Sequence, residues 1–171
     1  MEHLRFPIGH FVCPKKITKT HLNTWIRTIE PFPNDLEYLL IGVADDKLNT
    51  PYRPDGWTVR QAVHHCADSH LNSFCRFKLA LTEDNPTIKP YAEDLWAELA
   101  DTKTMPIQPS LHILQGVHWR WGVILKNLSA NDLKRTFYHP ENQTTTTLAE
   151  TIGLYAWHCK HHKAHIGLVI K

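Results

Sequence analysis

The sequence predicts an all-α protein built as a four-helix bundle, with a long connection between the second and third helices. Two observations lead to this prediction. Apolar residues recur with helical spacing in four long segments, and no β-branched run alternates with those segments, which disfavours an α/β fold. The chain has 171 residues, 42% hydrophobic and 21% charged, which is typical of one globular domain. We therefore assign residues 1–171 to a single domain.

The first helical segment runs from about Thr18 to Val43, and Pro31 and Pro33 interrupt it. Because proline lacks an amide hydrogen and its ring clashes with the preceding helical turn, we expect this segment to kink or split there. The positions expected to face the core are Leu22, Trp25, Ile26, Ile29, Leu36, Leu39, Leu40 and Val43. A turn-rich connection, DDKLNTPYRPDG, follows the segment.

The second helix has the clearest start. Thr58 and Gln61 have the spacing of a capping box, and the helical pattern continues to about Leu81. About 29 residues with four prolines then lead to the third helix. Since this is long for a loop without secondary structure, we expect a short helix over Tyr91–Leu99.

The third and fourth helices complete the predicted bundle. The third begins after Pro109 and Ser110 and ends near Leu128. Its expected core positions are Leu111, Leu114, Val117, Trp121, Ile124 and Leu125. The fourth opens with a second capping box, formed by Thr147 and Glu150, and continues close to the C-terminus.

Charge and composition exclude several classes of function. The net charge is only +2 and no basic run stands out, so nothing favours binding to nucleic acid. No apolar run has the length of a signal peptide or a membrane span, so we expect no membrane association. The cysteines form no C-x-x-C pair, and we interpret them as reduced thiols of a cytoplasmic protein: Cys13, Cys66, Cys75 and Cys159.

Histidine is the unusual residue of this chain. Seven of its 13 histidines lie in two short windows, one on the second predicted helix and one on the fourth. Neutral imidazole is a common metal ligand, and residues four apart on a helix can reach the same ion. The fourth helix offers two such pairs, His158 with His162 and His161 with His165. On the helical wheel, His158, His162 and His165 form one stripe with His161 at its edge, so spacing alone leaves the ligand pair open.

A third ligand is expected from the second helix, where His65, Ser69, Asn72 and Arg76 share one polar face. Polar groups on an inward face are costly unless they are paired or hydrated, so this face suggests a polar cavity inside the bundle. Histidines that serve only the surface or the core are the alternative interpretation. For Asn72 and Arg76, a surface or structural role is as typical as a contact with substrate. We interpret Trp57 as a packing residue.

Four motifs extend this pattern along nearly the whole chain: GWTVRQAVHHCADSHLNSFCRFKLALTE, PTIKPY, TFYHPE and LYAWHCKHHKAHI. Together they resemble the YfiT-like metal-dependent hydrolases of the DinB superfamily. The resemblance implies a YfiT-like four-helix bundle and one divalent metal ion held by three histidines. Carried over by motif, the ligands are His65, His158 and His162. His165 stands where many members have glutamine, so it is expected to contact the substrate or support a ligand. Asn72 and Arg76 are candidates for binding an anionic or amide-bearing substrate, because arginine binds carboxylates in bidentate geometry.

The resemblance also implies a reaction. Three protein ligands leave at least one coordination position open, which is typical of catalytic metal sites. Hydrolysis of a small-molecule substrate is the first expectation. A low-molecular-weight-thiol S-transferase, as in the bacillithiol-transferase-like members, is the alternative, with the metal activating a small thiol cosubstrate. A non-catalytic metal-binding bundle is the second alternative.

The sequence leaves three further points open. Zinc and nickel both suit three imidazoles. Several residues are conceivable proton carriers, so no general acid or base is assigned: His165, His161, His118 and Asp68. Family members are often homodimers, and we expect a homodimer here.

Overall fold

Four long helical units pack together in the computed structural model, which describes residues 2–170. The first unit consists of two consecutive helices, and short helices occupy the connections. In chain order, the helices are α1 (Glu2–Arg5), α2 (Lys19–Ile29), α3 (Phe32–Leu40), α4 (Asp45–Leu48), α5 (Val59–Thr82), α6 (Glu93–Trp96), α7 (Ala100–Thr104), α8 (Gln108–Asn127) and α9 (Leu148–Gly167), with strands β1 (Thr136–His139) and β2 (Thr144–Thr147) between α8 and α9. The predicted helical bundle is confirmed.

The first predicted segment is split where its prolines lie. Helix α2 ends at Ile29, and α3 begins at Phe32 with Pro33 in its first turn. Proline is tolerated there because the first amide groups of a helix have no intrahelical acceptor. The same tolerance explains why α8 begins at Gln108, before Pro109, rather than after Ser110 as predicted.

Both predicted capping boxes are present, and they define where the two histidine-bearing helices begin. The backbone N–H of Gln61 donates to Thr58 Oγ1 at 3.1 Å, and the N–H of Thr58 donates to the Gln61 side chain at 2.9 Å. At the start of α9, the N–H of Glu150 donates to Thr147 Oγ1 at 3.2 Å, and the N–H of Thr147 donates to Glu150 Oε2 at 2.8 Å. These bonds satisfy amide groups that would otherwise lack partners.

Replacing Thr147 with alanine is expected to lower the free energy of unfolding by about 1 kcal/mol, because the first turn of α9 loses its cap. Urea denaturation followed by circular dichroism measures this loss. Thr24→Ala is the matched control, since Thr24 is exposed in the interior of α2, where alanine is well accommodated. Equal losses in the two variants would contradict the capping role.

The long connection between α5 and α8 is anchored by buried polar side chains of α5. Gln61 Nε2 donates to the carbonyl oxygen of Ala97 at 2.8 Å, and Arg60 Nη1 donates to that of Met105 at 2.7 Å. Arg60 also contacts Asp45 Oδ1 at 3.0 Å. The short helix predicted over Tyr91–Leu99 is present as α6, and α7 follows it.

An antiparallel hairpin of β1 and β2 departs from the predicted all-α fold. Its register pairs Thr136 with Thr147 and His139 with Thr144, and Tyr138 also forms a parallel bridge with Thr87 of the long connection. The hairpin uses the TTTT run, which carries β-branched side chains but none of the alternation that marks a half-buried strand. The hairpin ends at the cap of α9 and places His139 beside the histidine-bearing helices.

The core lies between these helices: α5 packs against both α8 and α9, and α2 and α3 also pack against α8 and α9. The largest side chains that it buries completely are Trp121, Phe32, Phe77, Ile29, Leu36, Ile88, Leu114, Leu148, Ile152 and Ile166. Helix α9 approaches α2 closely at Gly153, where an added Cβ would lie 2.9 Å from the Trp25 ring. Within residues 2–170, none of the helices combines the length and the hydropathy that crossing a membrane requires.

Candidate metal centre

Three histidines from two helices converge beside the core. Helix α5 contributes His65, and α9 contributes His158 and His162, which lie one turn apart. One ligand atom from each residue can be chosen so that all three lie within 4.8 Å of one another. The Nε2 atoms of His65 and His158 are 3.3 Å apart. The packing of α5 against α9 therefore brings together the three residues that the family motif assigns as ligands.

This geometry fits a divalent metal ion. In a tetrahedral site with metal–nitrogen bonds of about 2.0–2.1 Å, two ligand nitrogens lie about 3.3 Å apart. The separation between His65 and His158 matches that value. In addition, the Nδ1 atom of His162 is buried and has no hydrogen-bond partner among the residues that the structure describes.

The electrostatics of the three rings favour the form that binds metal. Burial lowers the pKa of His65 to about 4, and the nearby His161 and His165 add to this effect. Burial likewise lowers the pKa of His158 and His162 well below its usual value, with neighbouring histidines contributing. Because metal binding requires a neutral imidazole, these rings need not lose a proton to bind an ion at neutral pH.

Two further histidines lie behind His158, in a position that the sequence did not predict. His158 Nδ1 is 3.0 Å from His70 Nε2, and His70 Nδ1 is 2.6 Å from His118 Nε2. His118 Nδ1 is 2.8 Å from the carbonyl oxygen of Ile29. His118 was only one of several conceivable proton carriers in the sequence, and His70 had no assigned role.

A cavity of about 710 Å³ opens beside the three histidines. Its walls come from α5, α9, the N-terminal segment, the α4–α5 connection, the α5–α8 connection and the β-hairpin. They include all three candidate ligands, with Arg76 and Tyr91 among the other lining residues. The polar cavity that the polar face of α5 suggested is therefore present, and its size is typical of sites for small molecules.

Of the three other predicted site residues, two line this cavity and one does not. Arg76 and His165 line it, whereas Asn72 is not among the lining residues. The Asn72 amide instead donates to the carbonyl oxygen of Asp68 at 2.9 Å, one turn back in the same helix. This hydrogen bond is a structural contact of the kind that the sequence left open as the alternative, and a contact of Asn72 with the substrate stays a prediction.

His165 is held by two neighbours. Its Nε2–H donates to the carbonyl oxygen of Arg5 at 3.0 Å, and its ring stacks on Tyr52 with 4.0 Å between the centroids. These contacts make His165 part of the cavity wall and tie α9 to the N-terminal segment. His161, expected at the edge of the stripe, is also buried and lines the cavity, where it stacks on Trp157.

The sequence analysis did not identify several of the residues that line the cavity. Trp57, interpreted as a packing residue, lies 4.6 Å from the His65 ring between centroids and faces the cavity. The Tyr155 hydroxyl donates to the carbonyl oxygen of Ser69 at 3.0 Å, and Ser69 Oγ is 3.4 Å from His158 Nε2.

The motifs PTIKPY and TFYHPE contribute Tyr91, His139 and Glu141 to the walls. Those motifs, which carried part of the resemblance, were the signal that could have identified them.

Known proteins are similar to this chain in sequence and in fold. Residues 29–166 match the DinB superfamily. A protein of Bacillus cereus (strain 03BB102), named "Putative metal-dependent hydrolase", is 54% identical over 166 residues, which cover 97% of this chain and 95% of that protein. A protein of Bacillus thuringiensis subsp. konkukian (strain 97-27) with the same descriptive name matches with the same identity and coverage.

A solved structure is similar along nearly the whole chain. It is that of YfiT from Bacillus subtilis, described as "a probable metal-dependent hydrolase with an unusual four-helix bundle topology". The two structures superpose with a TM-score of 0.93 at 47% sequence identity, covering 96% of this chain and 94% of the other.

Proposed function

Because this chain belongs to the DinB superfamily, we propose that it is a metal-dependent hydrolase whose divalent ion is held by His65, His158 and His162. One observation carries the proposal: the ligand atoms of these three residues converge within 4.8 Å in the wall of a cavity large enough for a small-molecule substrate. The relatives from Bacillus that carry the name of metal-dependent hydrolase support the same reaction class.

The chemistry follows from the charge of the site. A divalent ion, when bound, supplies a Lewis acid that can acidify a coordinated water or thiol and polarise a carbonyl group. The three protein ligands are neutral imidazoles, so they leave the positive charge of the ion undiminished. They also leave a coordination position for the substrate side, as catalytic sites require. Zinc and nickel are the proposed ions, since both are commonly bound by imidazole.

Other side chains of the cavity have roles in holding the substrate. Arg76 faces the cavity and forms no ion pair with a carboxylate among residues 2–170. Its guanidinium can therefore bind an anionic group of the substrate in a bidentate manner. The ring of Trp57 borders both His65 and His162 and offers an apolar surface next to the ion.

The size of the cavity supports a second candidate function. A volume of about 710 Å³ can accommodate two small molecules beside the histidines. In a thiol S-transferase, a small thiol held as its thiolate would attack an electrophilic carbon. The new C–S bond forms while the leaving group departs with the bonding electrons.

A turnover screen separates these functions. The metal-loaded protein is incubated with ester, amide and alkyl-electrophile substrates, each with and without several small thiols. We expect hydrolysis of an ester or amide without thiol, at least about tenfold faster than in the His158→Ala variant, because the ion is lost with its ligand. His112→Ala, a change of an exposed histidine on α8, is the control and should retain the activity.

Two other outcomes of the screen would contradict hydrolysis. Consumption of the electrophile only when a thiol is present would identify the transferase. Inertness under both conditions, with full metal occupancy, would identify a metal-binding bundle without catalytic activity.

We also propose that the protein works in the cytoplasm. All four cysteines are free thiols, and two of them, Cys66 and Cys159, are buried in the core. Free cysteines are typical of proteins from reducing compartments, where disulfides are rare.

A further inference from the structure

Three hydrogen bonds connect the candidate ligand His158 to the interior of the bundle. They pass from His158 on α9 to His70 on α5, then to His118 on α8, and end at the carbonyl oxygen of Ile29, the last residue of α2. His70 is 0% exposed and His118 is 3% exposed. We call this chain of groups the histidine relay.

The end of the relay determines where every proton lies. A carbonyl oxygen can only accept, so His118 Nδ1 must donate to Ile29. A neutral imidazole has one N–H, which makes His118 Nε2 an acceptor and His70 Nδ1 the donor to it. By the same reasoning, His70 Nε2 accepts and His158 Nδ1 donates.

The consequence for His158 is that its Nε2 atom carries no proton. Its Nδ1 carries the proton, so the lone pair of Nε2 points to the side where His65 lies, 3.3 Å away. The relay requires neutral rings, and both His70 and His118 are buried with only histidines and a carbonyl as hydrogen-bond partners. Charged imidazoles would be strongly disfavoured in such surroundings.

Packing holds the rings of the relay in this orientation. Phe32 stacks on His70 with 5.2 Å between centroids and also contacts His118 at 5.8 Å. Trp121 lies with its edge or face against both rings, at 6.1 and 5.9 Å. Because these aromatic neighbours are buried core residues, a ring flip, which would put carbon atoms in the place of the bonded nitrogens and break the hydrogen bonds, requires the core to move.

We propose that His70 and His118 are positioning residues, which hold His158 in the Nδ1–H tautomer and so keep its Nε2 lone pair available to the ion. The inference rests on the proposed function, because it takes His158 to be a ligand. Metal-bound histidines commonly donate their second N–H to a carboxylate or a carbonyl. Here the acceptor is a neutral imidazole, so the supporting residues add no negative charge around the ion.

The tautomers can be measured directly in the metal-free full-length protein. Long-range ¹H–¹⁵N correlation of ¹⁵N-labelled protein distinguishes protonated from bare ring nitrogens. We expect protonated Nδ1 and bare Nε2 in His158, His70 and His118. A protonated Nε2 on His158 would overturn the proposal, and this measurement needs no variant.

Two substitutions of His70 test the effect on metal binding. Glutamine is long enough to place its amide near the Nε2 position, where it can accept from His158, whereas asparagine reaches only the Nδ1 position. We expect His70→Asn to raise the dissociation constant of Zn²⁺ about 10–100-fold, and His70→Gln to stay within about threefold of the wild type. The constants are measured by competition with a chelator.

The control is His64→Gln. His64 lies on the same helix and is buried, but it bonds Ser110 and the carbonyl oxygen of Met105 and is outside the cavity lining. Its variant should bind Zn²⁺ like the wild type. Equal losses in His70→Asn and His70→Gln, or no loss in His70→Asn, would overturn the relay.

Failure of the ligand assignment has a different signature. If His158→Ala still binds Zn²⁺ with full affinity, the proposed metal site is wrong, whatever tautomer His158 has in the metal-free protein. If His158→Ala loses the metal while His158 of the wild type carries its proton on Nε2, the metal site stands and the relay is refuted.

Discussion

His158→Ala is expected to reduce the bound zinc or nickel from about one equivalent per chain to almost none, since only two of three ligands remain. His65→Ala should have the same effect, because His65 is the single candidate ligand from α5. The helical content should be retained, since the core that α5, α8 and α9 form does not depend on the ion. Elemental analysis of the purified variants measures the metal, and circular dichroism measures the helices.

The exposed His112 provides the control for this experiment, since its replacement by alanine removes a histidine without touching the cavity. That variant should keep the full equivalent of metal. Full occupancy in both His65→Ala and His158→Ala would refute the assigned ligands. Loss of metal together with loss of helical structure would point to a general effect on folding.

Acid is expected to destabilise the metal-free protein strongly between pH 6.5 and about 4. Burial lowers the pKa of His65, His118 and His161 from 6.5 to about 4 in the folded protein. Within this pH window, the unfolded chain takes up protons that the folded protein does not. Stability is therefore fully present above pH 6.5 and is lost as the pH falls towards 4.

The contribution of one buried imidazole ring to the acid effect follows from the size of its pKa shift. Each unit of pKa shift corresponds to about 1.4 kcal/mol, so His118 alone contributes about 3 kcal/mol across the window. Histidines that contact one another do not add independently. Asp68 acts in the opposite direction, because burial raises its pKa to about 6 and its folded form binds a proton more readily than the unfolded chain. Because the three histidines with lowered pKa values act against this one carboxyl group, the net effect of acid is destabilisation.

Urea denaturation at pH 7.5 and pH 4.5, with a chelator present, measures the acid effect. We expect the free energy of unfolding to fall by at least about 3 kcal/mol between these conditions. His118→Gln should show a smaller difference between the two pH values, since it removes one group that titrates. His112→Ala should not change the difference. Equal stability of the wild type at both pH values would contradict the prediction.

The sequence was most informative about the helices. The capping boxes at Thr58 and Thr147 and the prolines near residue 31 mark helix ends through contacts within one turn, and the structure places those ends as predicted. The β-hairpin was missed because its strands have four residues each and no alternating pattern. Its pairing depends on a partner strand and on Thr87 of the long connection.

The candidate site was predicted in part. Helical spacing reduced the histidines of α9 to one stripe, and the resemblance selected His158 and His162 from it. The resemblance also selected His65, and the structure brings these three together. Asn72 shared the polar face of α5 but lies outside the cavity lining, since a wheel gives the direction of a residue and not its depth. The homodimer and the identity of the metal stay predictions.

Local patterns were thus sufficient for the positions of the helices and for the faces on which their histidines lie, because each depends on residues a turn or two apart. The convergence of His65 with His158, separated by 93 positions, depends on how α5 packs against α9. The relay depends on a third helix, since His118 lies 48 positions from His70. Such contacts arise from the burial of side chains distant in sequence, which one-dimensional spacing does not encode.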